Sequence, residues 1–452
     1  MSKKDRQISQ YDFMTQTPVL KLILRLSIPT ILTMLVTNIY NLVDTAFVGT
    51  LGNSASGAVG VVFGFMAIIQ AFGFLFGQGS GSIISRLLGA HDEEKASTVA
   101  STGFFLALFF GILVSILSAI FLDPLVYVLG STPTIAPYAK TYILFILMAS
   151  PFMTTSFLLN NILRYEGRAF LGMIGMLAGA IINIGGDALF MFGMKMGIAG
   201  AGLSTALSQI ISFCILISMF LRKRTACRIS IKLFSREFSM IKDILITGLP
   251  SLLRQGLGSL ATVLLNTECG VYGDEAVAAM SIVNRIVFFV FSIALGLGQG
   301  FQPVSGFNYG AKKYSRVKQG FWISFVISEI LMVISLALVI PFSPQIVAIF
   351  RNDPDVIKIG TDALRLQALV LPTLPLCMNT EMLYQSTGRP AGASILSSLR
   401  SGLFFIPLLI VLANIRGLKG IEEAQPLAYI LSFIASMIFL YRYFKTVPLL
   451  DR

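Results

Sequence analysis

Asp44 stands near the end of an apolar run, residues 19–48, that carries no charge from Leu26 to Val43. At about 1.5 Å per residue such a run can cross a bilayer core of roughly 30 Å. An aspartate placed in it is costly, about 2.5–3.5 kcal/mol at a helix centre and less towards the ends. Thr37, Asn41 and Asp44 follow at i, i+4 and i+7, with Tyr40 one turn before the acid. That spacing draws a polar stripe down one helix face. A stripe of this kind is expected to face protein or water, not lipid. The plainer reading is that Asp44 snorkels from a helix end to the headgroups. A second acid, Asp187, follows Asn183 at i+4 in another apolar run, so the two share a face. Thr205 lies a turn or two into the next run. Carboxylate, amide and hydroxyl oxygens at one depth suit a proton relay or a hard monovalent cation. The alternative is that each is an isolated polar residue bonded within its own helix.

These groups need helices to hold them, and composition says in what medium. The chain has 452 residues, 55% of them hydrophobic and only 12% charged. A soluble domain carries about twice that charged fraction, so a polytopic membrane protein is expected. The net charge of +12 is spread over short segments between apolar runs, which argues against a nucleic-acid partner. Four cysteines (Cys214, Cys227, Cys269, Cys377) show neither metal spacing nor a disulfide framework. The single histidine, His91, lies in a polar loop and has no neighbour that would make it catalytic. The polar start leads straight into a long span and is read as lacking a cleavable signal peptide.

Apolar runs separated by polar, Gly- and Pro-rich breaks predict twelve spans between residues 20 and 444, the seventh near 243–268 and the tenth near 357–381. Gly175 and Gly179 form a G-x-x-x-G in the fifth, which permits close helix packing. Lys and Arg concentrate at the N-terminus, after span six (RKRTACRISIKLFSREFSMIK) and after span eight. The loop bias therefore predicts both termini in the cytoplasm. The basic segment after span six is expected to be a solvated linker.

The chain repeats itself. Pro29 and Pro250 are 221 residues apart, and so are Gly49 and Gly270 at the head of GTLG and GVYG. Gly77 and Gly298 of GQG, Gly89 and Gly310 of GA, and Gly167 and Gly388 of GR share that offset. Five matches at one offset predict a duplicated six-helix unit, with an N-terminal lobe over 1–221, a basic linker over 222–242 and a C-terminal lobe over 243–452. Six is even, so the halves share one orientation, related by a pseudo-two-fold axis along the membrane normal, as in parallel-repeat transporters. At the same offset Asp44 corresponds to Leu265 and Asp187 to Leu408. These two membrane acids of the first half have no counterparts in the second, which points to chemistry placed in the first, although divergence alone would also produce the asymmetry.

Other polar residues read as less informative. Glu268 and Glu381 lie near span ends and are expected to reach the interface. Arg254 and Arg285, inside spans seven and eight, could pair with acids or carbonyls, and Glu329 has no evident partner. Gln78 and Gln299 are repeat mates and read as structural. No G-x-x-x-x-G-K-[ST] motif provides a nucleotide-driven engine, so transport would run on an ion gradient. No TVGYG-like filter suggests a channel.

The stretches LSIPTILTMLVTNIYNLVDTAFVGTLG (26–52), GSGSIISRLLGAHDEEKA (79–96), NILRYEGR (161–168) and NIGGDALFMFGMKMGIAGAGLSTALSQ (183–209) resemble the multidrug and toxic compound extrusion (MATE) family. The likeness is strongest to its prokaryotic DinF/Mep-like branch and covers nearly the whole chain. It implies secondary active efflux by rocker-switch alternation of two lobes, a non-enzymatic function without cofactor. In that branch a first-helix aspartate joins an Asn-x-x-x-Asp and a threonine in the coupling site, which would be Asp44, Asn183, Asp187 and Thr205 here. The cavity positions would fall on Tyr40, Tyr142 and Asn160, and the helix-one hinge on Pro29; Asn41 of the polar stripe is expected to face the same substrate cavity. The second-lobe acids of the NorM-type branch are not matched.

The expectation is thus an antiporter in a bacterial-type cell membrane, acting as a monomer. It would export amphipathic, cationic compounds against H⁺ or Na⁺, the latter held at Asp44, Asp187, Asn183 and Thr205. The nearest alternative is a flippase of related fold for lipid-linked oligosaccharides or lipids. Such a protein should line its cavity with several Arg or Lys, whereas only Arg254 and Arg285 lie well placed in the second half, with Arg365 and Arg400 nearer span ends. A membrane-embedded enzyme could use only Asp44 with Asp187.

Overall fold

The computed structural model describes residues 3–446, with side chains from Gln10 onward apart from Asn53. The described residues are all-helical. A short polar helix α1 (Lys3–Gln16) precedes α2 (Val19–Gly49), α3 (Asn53–Gly89), α4 (Glu93–Ile120), α5 (Leu122–Val128), α6 (Ala136–Tyr165), α7 (Ala169–Asp187) and α8 (Ile198–Leu221). The second half holds α9 (Phe238–Gly270), α10 (Asp274–Gly310), α11 (Tyr314–Phe350), α12 (Pro354–Leu369), α13 (Leu374–Ser386), α14 (Pro390–Ser398), α15 (Phe405–Arg416) and α16 (Leu418–Thr446). Two π segments, Ala188–Gly193 and Leu399–Leu403, follow α7 and α14.

Among the described residues ten helices are long and apolar enough to cross a membrane. The other two expected spans are present in altered form. The seventh is α9, where Arg254, Gln255, Asn266 and Glu268 dilute the apolar run. The tenth is broken into α12 and α13 by a 3₁₀ turn at Leu371–Thr373, where Pro372 and Pro375 remove backbone donors. Phe109, Met148, Ile181 and Ile415 are exposed on helix faces. A lipid-facing surface explains that exposure, which water would not favour.

The chain divides into two compact units. One holds the residues up to Gln16 and Leu32–Leu252, the other Thr17–Ile31 and the residues from Leu253. In the first, α6 is central and packs on α3, α4, α7 and α8. In the second, α10 packs on α11, α12 and α13, and α16 on α13 and α15. The two division points, 31/32 and 252/253, are themselves 221 apart. Each unit therefore includes the opening turns of a helix whose remainder lies in the other unit. The GQG motifs explain how those turns seat. A Cβ on Gly79 would strike the Ile244 carbonyl oxygen and stand 3.0 Å from the Gly248 nitrogen. A Cβ on its mate Gly300 would stand 2.7 Å from the Ser27 nitrogen. Ser251 Oγ donates to Gln78 Oε1 at 2.6 Å, and Ser27 Oγ to the Leu297 carbonyl at 3.3 Å.

The repeat extends to the backbone. Gly52 and Gly273 have φ of 117° and 101°, and Gly167 and Gly388 have 81° and 80°. His91 and Lys312, also 221 apart, are left-handed at 61° and 58°. His91 stacks on Tyr11 of α1 with ring centroids 4.0 Å apart.

The linker after α8 is tied down rather than solvated throughout. Glu166, fully buried, accepts the backbone N–H groups of Ala226 at 3.0 Å and Cys227 at 2.9 Å. Burial pushes its carboxyl pKa up, while those donors and Arg168 pull it back. Further along, Arg228 N donates to Ser97 Oγ, Ser230 N to Ser101 Oγ and Ser235 N to Thr102 Oγ1, at 3.0–3.1 Å. The linker thus lies along α4.

Candidate functional site

The site is built where α7 meets α8. Gly175, Gly179, Asn183 and Gly186 recur at helical spacing along α7, and Ser204, Ser208 and Ser212 recur at i+4 along α8. A Cβ on Gly175 would stand 2.5 Å from Leu216, one on Gly179 3.1 Å from Ser212, and one on Gly186 2.5 Å from Ser204 Oγ. The missing side chains let the helices approach closely. The serines use that proximity: Ser212 Oγ donates to the Gly175 carbonyl at 3.0 Å and Ser204 Oγ to the Asn183 carbonyl at 2.9 Å. Gly202 provides the same clearance for Tyr142, whose Cδ2 would be 3.1 Å from an added Cβ.

These contacts bring side chains from α2, α6, α7 and α8 together. Asp44, Tyr142, Asn183, Asp187 and Thr205 are each 3% exposed or less. Tyr142 Oη donates to Asp44 Oδ2 at 3.2 Å and lies 2.9 Å from Thr205 Oγ1. Asn183 Nδ2 donates to Thr205 Oγ1 at 3.2 Å and to Ser204 Oγ at 3.4 Å. Asp187 ends the α-helical part of α7, immediately before the π segment. Such segments are frequent at functional sites. Its charge is felt by Tyr40 along with that of Asp44, and the Ser204 hydroxyl lies beside it. That hydroxyl has already given its proton to Asn183.

The accounting of donors is uneven. Among the described residues, Asp44 Oδ1, Asn183 Oδ1 and both carboxyl oxygens of Asp187 are buried and accept no hydrogen bond. Four acceptors without donors, two of them on one carboxylate, are costly in a low-dielectric interior. A proton on either acid, or a cation among the oxygens, reduces the deficit.

The remaining sequence-derived positions fall variously. Tyr40 is half-buried one turn before Asp44. Asn41 is half-buried beside it, and its carbonyl accepts the Thr45 hydroxyl at 2.7 Å. Asn160 lies on α6 eighteen residues beyond Tyr142, about 27 Å along the axis. Its amide faces Gly172 instead, 2.8 Å from where a Cβ would stand. Pro29 lies within α2, about 22 Å along the helix from Asp44.

Ser204 was not singled out in the sequence, although its place beside Thr205 and on the serine register of α8 marks it. Glu381, expected at an interface, is instead buried and accepts from Arg254 Nη1 at 2.5 Å. Arg365 donates through Nε to Ser343 Oγ at 3.0 Å.

Two duplicated units of long apolar helices, with Asp44 and Asp187 buried together in the first, define a duplicated polytopic membrane protein. The MatE family model matches the chain twice, over residues 29–189 and 250–411. The chain belongs to the MatE family. It is 29% identical over 441 residues to the multidrug export protein MepA of Staphylococcus saprophyticus, covering 97% of this chain and 96% of that protein. It is 28% identical to the MepA of Staphylococcus aureus strain MSSA476, with the same coverage. A solved structure described as the outward-facing conformation of a multidrug resistance MATE family transporter is similar at a TM-score of 0.90. That likeness covers 96% of this chain and 97% of that one at 27% identity.

Proposed function

We propose that this protein is a secondary active multidrug exporter that exchanges amphipathic, cationic compounds for H⁺ or Na⁺. The observation that carries the reading is the set of donorless oxygens on Asp44, Asn183 and Asp187, gathered beside Tyr142, Thr205 and Ser204. Proton or Na⁺ taken up from outside neutralises Asp44 and Asp187. The Tyr142–Thr205–Asn183 chain then rearranges, α2 changes shape about Pro29, and substrate leaves outward. Release of the ion inside restores the acids. Ion and substrate need only favour different states of a rocker switch for coupling to follow. The names of the Staphylococcus relatives, both multidrug export proteins, support the substrate class. No cofactor enters the scheme and no bond is made or broken, so the protein acts as a transporter and not as an enzyme. The unit at work is a single chain in a bacterial cell membrane, with both termini in the cytoplasm.

The test is dye efflux from proteoliposomes under an imposed pH or Na⁺ gradient. Asp44→Asn should abolish gradient-driven efflux while the protein still reaches the membrane in normal amount. Undiminished efflux by that variant would overturn the coupling role of Asp44, and the gradient that drives wild-type efflux identifies the ion.

A further inference from the structure

The second unit contains a cavity of about 500 Å³ between α9, α10, the second π segment, α15 and α16. It is within the range of small-molecule sites. Its lining includes Arg254, Arg285 and Arg400 but no Asp, Glu, Lys or His. Arg254 is held by Glu381, which is not part of the lining. Arg285 and Arg400 form no ion pair among the described residues. Arg400 lies 4.2 Å from the ring centroid of Phe291 and 5.7 Å from that of Tyr429. This stacking orients a guanidinium without neutralising it. On the same wall Asn266 Oδ1 is buried and accepts no hydrogen bond among the described residues.

Arg285 is exposed and Arg400 half-buried, and the single carboxylate of Glu381 is shared by Arg254 and Arg400, so the cavity keeps a net positive charge; charged groups at membrane depth mark function by default. Their geometry suits a planar anion, since arginine binds carboxylate and phosphate oxygens in bidentate fashion. The aromatic walls suit an apolar body, and Asn266 suits a hydroxyl or amine donor on it. The repeat sharpens the contrast. At the 221-residue offset Arg254, Arg285 and Arg400 correspond to Thr33, Gly64 and Gly179, while Leu265, the mate of Asp44, lines this cavity. The Asp44–Asp187 cluster belongs to one half and the arginine-lined cavity to the other.

We propose that the cavity of the second unit binds an organic anion, a carboxylate or phosphate carried on an aromatic or amphipathic body, between Arg285 and Arg400. The site is separate from the Asp44 cluster and does not depend on its role. The anion is either a soluble compound or the headgroup of an anionic lipid. The chemistry is shared, and the experiment separates the two.

Full-length protein in phosphatidylcholine nanodiscs is titrated with radiolabelled p-aminohippurate, an aromatic carboxylate. Saturable binding is expected. Arg285→Gln and Arg400→Gln should each weaken it about tenfold or more, the loss of one charged hydrogen-bonding partner. Arg285→Lys should retain part of the affinity, which a merely structural role would not predict. The cationic analogue procainamide should not compete. In discs containing phosphatidylglycerol, loss of binding identifies a lipid headgroup as the occupant, and unchanged binding identifies a soluble anion. Either result supports an anion site. Absence of saturable binding in phosphatidylcholine discs overturns the proposal. So does equal binding by an Arg285→Gln/Arg400→Gln double variant that elutes as wild type, or competition by procainamide.

Discussion

At the scale of single residues, two clusters handle buried charge by opposite means. Asp44 and Asp187 keep oxygens without donors, whereas Glu381 and Arg254 are matched at 2.5 Å with both side chains buried. An open site and a closed pair should respond differently to mutation. Tyr142→Phe removes the hydroxyl that joins Asp44 to Thr205. Its stability cost is about 0.5–1.5 kcal/mol, so the protein should reach the membrane normally. Gradient-driven dye efflux should fall about tenfold, because the link between the acid and α8 is lost. Glu381→Gln should instead show itself in stability. Breaking a buried ion pair by removing one partner costs about 3–5 kcal/mol, while replacing both partners by apolar residues is close to neutral. Thermal unfolding in detergent should thus rank Glu381→Gln well below both wild type and Arg254→Met/Glu381→Met. A double variant as unstable as the single one would refute the pairing argument.

At the scale of elements, α7 and α8 form the site because one presents glycines where the other presents serines. Gly186→Ala places a methyl 2.5 Å from Ser204 Oγ, an overpacking that costs about 1–3 kcal/mol. It also pushes Ser204 off the Asn183 carbonyl. Both the unfolding temperature and efflux should drop. Adding Ser204→Ala should recover part of the unfolding temperature, since it removes the nearest atom and leaves Cβ at 3.2 Å. The linker makes a second element-scale test. Glu166 holds it by two backbone N–H groups, and charge-assisted bonds of this type contribute about 1.5–3 kcal/mol. Limited trypsin digestion at Arg222, Lys223 and Arg224 should therefore proceed roughly tenfold faster in Glu166→Ala. An unchanged rate would mean that the contacts to Ser97, Ser101 and Thr102 hold the linker unaided.

At the scale of the whole molecule, duplication governs the architecture and divergence governs the chemistry. The compact units divide at positions 221 residues apart, each two residues after a proline, Pro29 or Pro250. Gly79 and Gly300 carry equivalent backbone contacts. A Cβ on Gly300 would stand 2.6 Å from the Ser27 Cα, and backbone cannot move aside as a flexible side chain can. Gly79→Ala and Gly300→Ala are expected to lower the unfolding temperature by similar amounts, by the overpacking cost of about 1–3 kcal/mol or more. A large effect in one and none in the other would show that the duplicated helix exchange no longer bears equally on the two units.

Much of this was legible in the chain itself. A low charged fraction and long uncharged runs settled the medium, because water cannot replace the hydrogen bonds a helix makes internally in lipid. The 221-residue offset announced the duplication, since each matching Gly or Pro marks a backbone requirement that both copies share. The i, i+4 spacing of Asn183 and Asp187 placed them on one face. Tertiary structure decided which faces meet. It set Tyr142 and Thr205 against Asp44, left Asn160 about 27 Å away along α6, and brought Ser204 into the cluster. It closed Arg254 onto Glu381 and turned Arg285 and Arg400 into one cavity. None of these pairings follows from spacing, because they join residues up to 161 positions apart, Asp44 and Thr205 among them. Local periodicity fixes only the face on which a residue lies; the packing of whole helices through their glycines and serines fixes what it faces.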